Sequence, residues 1–521
     1  MIEVFDAKDG SKSLKVSGIQ IHSSYSPLKE VEKYLQTFKL HKKNSIILCG
    51  DMLGHLYTII KKRYPDIKII SLLYSSDFLS YFSDNNSALW YPGSNISLYE
   101  FLQNNLKLLD TIGLEIISWP ASGKAYPTVY QNIQFQLNQF LLENSGSLNT
   151  IKQFGNLWLR NTFSNFLSLK RISLFPGGVS SPLFIAASGP SLSKSFAFLK
   201  EYRKKITIWA LPSSLKALLS VGIEPDLIIQ TDPGYYATHH LRDLKSCSTP
   251  VAMPLSACRS IWNYESHIYL FSQGTGLEKS IFKKANARIP EIPPAGTVAV
   301  TALFLSMEVN TEYPVILLGY DFSHSDINTH VHPNAFMSIF QSSSRRTAPL
   351  LGTMLFRSIS DDKNQTSPLK TYSGWLQRFS EKVANRVYRL HASPISLGSI
   401  KDIDESEARL LCKKGLYRGS TKLISENHLF KSIDRNNILN QIVQNWDADI
   451  MSLINTAKSG SSVIFNPGGE TELALSLNPS GLMQLKKKWP SLSPSERKKE
   501  TIEFGETLNK IISRYKEEYL S

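Results

Sequence analysis

The sequence predicts an α/β protein built on a central, mainly parallel sheet. Three observations predict it. Between 182 and 322, short and wholly apolar runs alternate with helical segments, the pattern of strands covered on both faces. Each run stops at a cluster of glycine, proline, serine or aspartate. Beyond about residue 400 the pattern becomes helical. At 521 residues the chain exceeds a single core, and three parts are expected. They are an auxiliary α/β domain over 1–165, a central domain over 166–400 and a helical domain over 401–521.

The central block begins with Pro182–Leu192, read as a buried strand that breaks at Ser188-Gly189-Pro190 and turns into a helix. Gly189 is expected to supply backbone freedom, Pro190 to set the helix start, and Ser191 to offer a hydroxyl there. The free N–H groups of such a start suit a phosphate. Helical character follows over Lys194–Lys204, then a strand at Ile206–Ala210 and a helix at Ser213–Val221, stopped by Gly222 and Pro225. Further strands are expected at Leu227–Gln230, Pro250–Met253, His267–Phe271 and Pro314–Gly319. A buried helix is expected at Ala299–Met307.

Ligands of parallel sheets bind beyond the carboxyl ends of the strands. The residues there are Ser188, Gly189, Pro190, Ser191, Ser213, Asp232, Gly274, Thr297 and Asp321. N–H and hydroxyl groups suit a phosphate and carboxylates a ribose, although Asp-Pro and Asp-Phe are also ordinary turn starters.

The motifs Ser188-Gly-Pro-Ser-Leu192, Val221-Gly-Ile-Glu-Pro-Asp226 leading to Asp232-Pro233, Gly296-Thr-Val298, and Leu318-Gly-Tyr-Asp-Phe322 with Thr329-His330 resemble the motility accessory factor (Maf) family of flagellin glycosyltransferases. Ile21–Pro27 with Glu30 is similar to that family's N-terminal pattern, and the matches reach over about 1–400. The central pattern also resembles bacterial sialyltransferases and archaeal hydroxymethylpterin pyrophosphokinases. The resemblance implies a Rossmann-like, sialyltransferase-type central domain. It also implies transfer of a nonulosonic acid (a sialic-acid-like sugar such as pseudaminic acid) from a CMP donor to Ser or Thr of flagellin in the cytoplasm, in support of flagellar assembly and motility. Gly189, Ser191, Gly296 and Thr297 would then hold the CMP end, and Asp232 and Asp321 would shape the pocket. The alternatives are an ATP-dependent pyrophosphokinase and a flagellin chaperone without catalysis. One departure stands out: His391–Gly398 replaces a polar, acidic segment of many relatives.

Such a transfer needs a base for the acceptor hydroxyl, and histidine titrates in the right range. Asp321–His332 carries three histidines just past a strand end; His330 is the first choice and His332 the second. A metal set of His324, Asp326, His330 and His332 is the rival reading, and no obligate metal is expected. His239-His240 reads as a helix start. Arg345 and Arg346 follow a Ser- and Gln-rich segment and could bring a guanidinium to a phosphate or the sugar carboxylate, as a mobile lid would.

Cys49, Cys247, Cys258 and Cys412 are scattered, which points to reduced thiols. No apolar stretch approaches the ~20 residues needed to span a bilayer, and Met1–Gly10 lacks the apolar core of a signal peptide. A cytoplasmic protein is expected. The net charge of +14 favours an anionic partner, yet the basic residues are dispersed and no nucleic-acid motif is present. Gly50-x-x-x-Gly54 after a strand is a weak nucleotide signal. The last helix opens with Ser493, Pro494 and Glu496, a capping box. Its face of Phe504, Leu508, Ile511, Ile512, Tyr515 and Tyr519 either packs inward or docks an acceptor protein.

Overall fold

A computed structural model describes all residues except 1, 83–87, 174, 176–178, 180, 243–247, 260–266, 310–311, 325–329, 338, 340–341, 343, 348–364, 414–429, 431–432, 460–468 and 521. It divides into two compact units, Met1–Gln153 with Ile450–Asn509, and Phe154–Asp449 with Lys510–Ser521.

The first unit holds a three-stranded antiparallel sheet, β1 (Ile2–Asp6), β2 (Lys12–Val16) and β3 (Ile19–Gln20). Beside it in sequence comes a four-stranded parallel sheet of β4 (Ser45–Cys49), β5 (Lys68–Leu72), β6 (Ala88–Trp90) and β7 (Leu114–Ser118), in the order β6-β5-β4-β7. The Gly50–Gly54 turn follows β4. There the buried Asp51 carboxylate accepts the N–H groups of Leu56 and Tyr57 at 3.2 and 2.8 Å, so the start of the His55–Arg63 helix is capped from within. Burial pushes Asp51 up to about 6. The His22 motif is structural in the same sense: the Ser23 N–H donates to Glu30 at 2.7 Å, and the His22 ring lies 4.9 Å from that of Trp119.

The second unit is built on a nine-stranded, wholly parallel sheet. Its strands are β8 (Ile172–Ser173), β9 (Leu183–Ala186), β10 (Thr207–Ala210), β11 (Leu227–Ile229), β12 (Val251–Met253), β13 (Ile268–Leu270), β14 (Val315–Leu318), β15 (Val387–Leu390) and β16 (Lys401–Ile403). Their order is β16-β15-β14-β9-β10-β11-β12-β13-β8. The chain walks outward from β9 to β13, then returns to the other side of β9 as β14 and walks outward again. The pattern reverses between β9 and β14. Both faces are covered: Leu183 and Ile185 join one apolar core, Phe184 and Ala186 the other. That is why these runs carry no polar alternation.

The predicted strands and the buried helix, observed as Val298–Val309, are where the apolar runs placed them. Strands β15 and β16 were not foreseen, and β16 carries the sheet past residue 400. The fully buried Arg389 of β15 grips Asp402 of β16 through both ends of its guanidinium, at 2.6 and 2.8 Å. A charged residue inside a strand hid that strand from an apolar-run reading. A single long helix, Pro127–Ser168, precedes the sheet of the second unit in sequence.

The elements described past β16 are all helices. The Ser493 capping box is realised, with Glu496 N–H on Ser493 at 3.3 Å and Ser493 N–H on Glu496 at 2.8 Å. The helix it starts, Pro494–Tyr519, buries Phe504, Leu508, Ile512 and Tyr515. Tyr515 and Tyr519 stack on Phe163, with centroids 5.2 and 5.3 Å apart, so this face is occupied by the protein's own core and not free for docking. Phe163→Ala should cost about 3–5 kcal/mol of unfolding free energy in urea titrations, because it empties a fully buried aromatic site.

Candidate functional site

The reversal between β9 and β14 is where a doubly wound sheet leaves a crevice at its strand ends. Two predicted segments meet there. The Ser188–Ser191 turn leaves β9, and Gly319–Phe322 leaves β14. The Ser191 N–H donates to Asp321 Oδ2 at 2.8 Å and the Ser191 hydroxyl to Oδ1 at 2.5 Å, with both residues buried. The Gly189 N–H donates to Gly319 O at 2.9 Å.

This geometry corrects the reading of the turn. Gly189 has φ of −62°, so its backbone freedom is unused. Glycine is required by proximity: a Cβ here would lie 2.4 Å from Gly319 O and 2.6 Å from Asp321 Oδ2. Gly319 carries the positive φ, at +66°. Nor does an α-helix start at Pro190. A 3-10 turn, Pro190–Ser195, precedes a short helix, Phe196–Tyr202. The N–H groups of Gly189, Ser191 and Leu192 bind Gly319 O, Asp321 and Gly189 O, so none of these three is spare for a phosphate.

The candidate base sits beside this lock. The Val331 N–H donates to Ser188 O at 2.8 Å, which ties His330 and His332 to the turn after β9. Burial and the neighbouring imidazoles of His324 and His332 hold His330 below the ordinary histidine range. His240 is held down to about 4, chiefly by burial and then by His330 and His239. The pair at 239–240 therefore gathers with the cluster after β14; it closes the short helix Ala237–His240 and does not start one. Phe336 packs against the pair, its ring 4.7 Å from that of His240 and 5.8 Å from that of His239. Among the described residues no three of His, Cys, Asp and Glu are placed to hold a metal ion, and Asp326 and Thr329 lie outside the described residues.

The other predicted residues divide. Asp232, exposed after β11, accepts the Gly234 N–H at 2.8 Å through Oδ1. It lies two strands, roughly 10 Å, along the sheet from β9. Gly296 and Thr297 open the Val298–Val309 helix, and the Tyr320 hydroxyl donates to Ala299 O at 2.8 Å, which brings that helix start to the end of β14. Thr297 Oγ1 accepts the Ala299 N–H at 3.4 Å. Ser213 lies in the helix after β10. Gly274 follows β13, four strands from β9, and is not part of the crevice. Arg345 and Arg346 are exposed, and most of the segment that follows them, 348–364, lies outside the described residues.

Residue-type reasoning missed three contributors from β15 and the loop that follows it. The Ser393 hydroxyl donates to Asp321 O at 2.7 Å, and Arg389 Nη1 donates to Tyr320 O at 3.2 Å and Ile395 O at 2.8 Å. His391 opens the loop with φ of +69°. The only signal was the departure of 391–398 from the family pattern.

Residues 156–326, about a third of the chain, match the family described as 6-hydroxymethylpterin diphosphokinase MptE-like. An uncharacterized protein of Treponema pallidum (strain Nichols) is 25% identical over 332 residues, covering 60% of this chain and 68% of its own length. A second from that organism is 28% identical over 123 residues, 22% of this chain and 57% of its own. The structure of the MAf glycosyltransferase from Magnetospirillum magneticum AMB-1 aligns over 98% of this chain and 90% of its own, with a TM-score of 0.54 and 12% identity. At that identity the likeness is one of fold.

Two measurements check this geometry. Gly189→Ala should destabilise the protein by about 1–3 kcal/mol, read by urea unfolding, because the added methyl has no room between the strand ends. His240 should stay neutral in imidazole NMR titrations down to about pH 4. Between pH 6.5 and 4 the unfolded chain then binds a proton that the folded chain refuses, so His240 lowers stability as pH falls through that window.

Proposed function

We propose that this chain is a nucleotide-dependent transferase that passes an activated group to an acceptor hydroxyl, with its donor seated at the β9–β14 crevice. The observation that carries this reading is the meeting of a strand-end crevice with an imidazole held below its ordinary titration range, His330, tied to its rim through Val331. A neutral imidazole can take the acceptor proton, typically worth about 10²–10⁴ in rate. His332 is the alternative base.

In this reading Ser188, Gly189 and Pro190 form the floor of the crevice. Ser191 and Asp321 hold its shape, since their polar atoms are spent on each other. Asp232 has a second carboxylate oxygen to offer a ribose, and Gly296 and Thr297 bring a helix start to the same edge. Arg345 and Arg346, exposed, would supply guanidinium groups to a phosphate or sugar carboxylate.

Two donors are carried by different observations. The family match over 156–326, the block that builds β9 to β14, favours ATP and diphosphoryl transfer to a pterin-like alcohol. The fold likeness to a MAf glycosyltransferase over 98% of the chain favours glycosyl transfer, for which the motif resemblance implies a CMP-activated nonulosonic acid and flagellin Ser or Thr hydroxyls in the cytoplasm. In the glycosyl case the acceptor oxygen bonds to the anomeric carbon with inversion. The bond to the CMP phosphate oxygen breaks, its electron pair leaves with CMP, and the acceptor proton goes to His330. A flagellin chaperone without catalysis is the remaining outcome.

Calorimetry with CMP, and separately with ATP and Mg²⁺, decides among them. Binding of CMP supports the sugar donor and binding of ATP the diphosphokinase; binding of neither overturns the transferase reading. His330→Gln should keep nucleotide affinity within about twofold while turnover falls about 10²–10⁴-fold. The wild-type rate should hold as pH drops to 6.5 and fall only below it, because the base has a depressed pKa.

A further inference from the structure

Two adjacent aromatic side chains stand in water just beyond β11. Tyr235 and Tyr236 are 71% and 70% exposed, on the turn that follows Asp232-Pro233-Gly234. Single exposed rings are ordinary, whereas a joined pair at a strand-end crevice points to a binding surface. The turn beneath them is fixed. Asn161 Nδ2 donates to Pro233 O at 3.1 Å, and Gln230 Nε2 and the Cys258 N–H donate to Asp232 O at 2.9 and 3.0 Å. The Thr238 hydroxyl holds Tyr235 O at 2.7 Å.

The two rings form a corner, their planes at 67° and their centroids 6.0 Å apart. The buried His239 packs against both, its ring 5.5 Å from that of Tyr235 and 6.2 Å from that of Tyr236. Phe336 packs on Tyr236 in turn, at 6.4 Å. From there contacts lead back to the crevice. The Phe336 N–H donates to Asn334 Oδ1 at 3.1 Å, Asn334 Nδ2 to Val331 O at 3.4 Å, and the Val331 N–H to Ser188 O at 2.8 Å. The corner is thus joined to the turn after β9 and to the segment that carries His330 and His332.

We propose that Tyr235 and Tyr236 hold the base of the donor nucleotide, one ring stacked on its face and the other against its edge. This rests on the nucleotide reading above and adds where the base lies. Offset stacking and edge-to-face contact are the two arrangements aromatic pairs prefer, and a corner of 67° offers one of each to a flat guest. The order along the sheet agrees. The β9–β14 crevice comes first, and Asp232, with an oxygen to offer a ribose, follows β11 roughly 10 Å away. A nucleotide laid along that edge brings its base onto the tyrosines directly after Asp232. Stacking accepts any base, so the corner supplies affinity and leaves the choice of cytosine or adenine to other contacts.

The test is calorimetry of the full chain with CMP, with ATP and Mg²⁺, and with ribose 5-phosphate, which lacks a base. Whichever nucleotide the wild type binds, it should bind at least about tenfold more tightly than ribose 5-phosphate. Tyr235→Ala and Tyr236→Ala should each weaken nucleotide binding about fivefold or more, toward the affinity of ribose 5-phosphate. Tyr235→Phe and Tyr236→Phe should stay within about twofold of the wild type, because the ring and not the hydroxyl makes the contact. Both side chains are exposed, so thermal unfolding of all four variants should match the wild type. Unchanged nucleotide affinity in both alanine variants, or equal wild-type affinity for nucleotide and ribose 5-phosphate, overturns the proposal and leaves the nucleotide reading standing. Alanine variants that lose 6-hydroxymethylpterin and keep ATP also overturn it, since the corner would then belong to the acceptor. A wild type that binds neither nucleotide ends both the proposal and the reading beneath it.

Discussion

The bond between Ser191 and Asp321 holds the second unit's functional edge together. A carboxylate buried among strand ends is costly unless its oxygens are occupied, and here one serine occupies both, through its N–H and its hydroxyl. The contact is possible only because glycine stands at 189 and at 319, where any side chain would collide with backbone. Its neighbours depend on it in turn. Ser393 holds the Asp321 carbonyl, Arg389 the Tyr320 carbonyl, Tyr320 the start of the Val298–Val309 helix, and Val331 the Ser188 carbonyl. Four segments distant in sequence take their places from one buried acid and its partner.

The first unit shows a related device on a smaller sheet. Its strand order also reverses, between β4 and β7, and an acid again follows the central strand. Asp51 spends its carboxylate on Leu56 and Tyr57 N–H groups, which fills the place an anion would take at that helix start. Each sheet thus carries an inward-turned carboxylate at its reversal. Histidines stand near both: His22, held down to about 3 by burial and the adjacent His55, in the first unit, and His240 and His330 beside the second.

Much of this was legible in the chain itself. Runs such as Leu183–Ala186 and Val315–Leu318 are apolar at every position because both faces are covered, and a short uninterrupted apolar run is a local signal. The Gly-Pro turn, the aspartates at strand ends and the Ser493–Glu496 cap are equally local. The hidden parts were those whose meaning lies in a distant partner. Arg389 looks like a surface charge until Asp402 is beside it in the next strand. His239 and His240 look like a helix feature until the loop after β14 arrives. Gly189 looked like a residue needed for its dihedrals, while the structure uses it for its lack of a side chain.

The sequence by itself determined the α/β class, the places of the wholly apolar strands and of the capped last helix, and the residue types available at the strand ends. Those properties depend on side-chain volume, branching and backbone freedom within a few residues. Only the tertiary structure decided that β14 returns to the flank of β9, and with it that Ser191 faces Asp321, 130 residues away. Strand order is set by which apolar faces bury best together over the whole sheet. No local pattern records that choice, and it turned a turn that looked ready for phosphate into the lock beside which a ligand would sit.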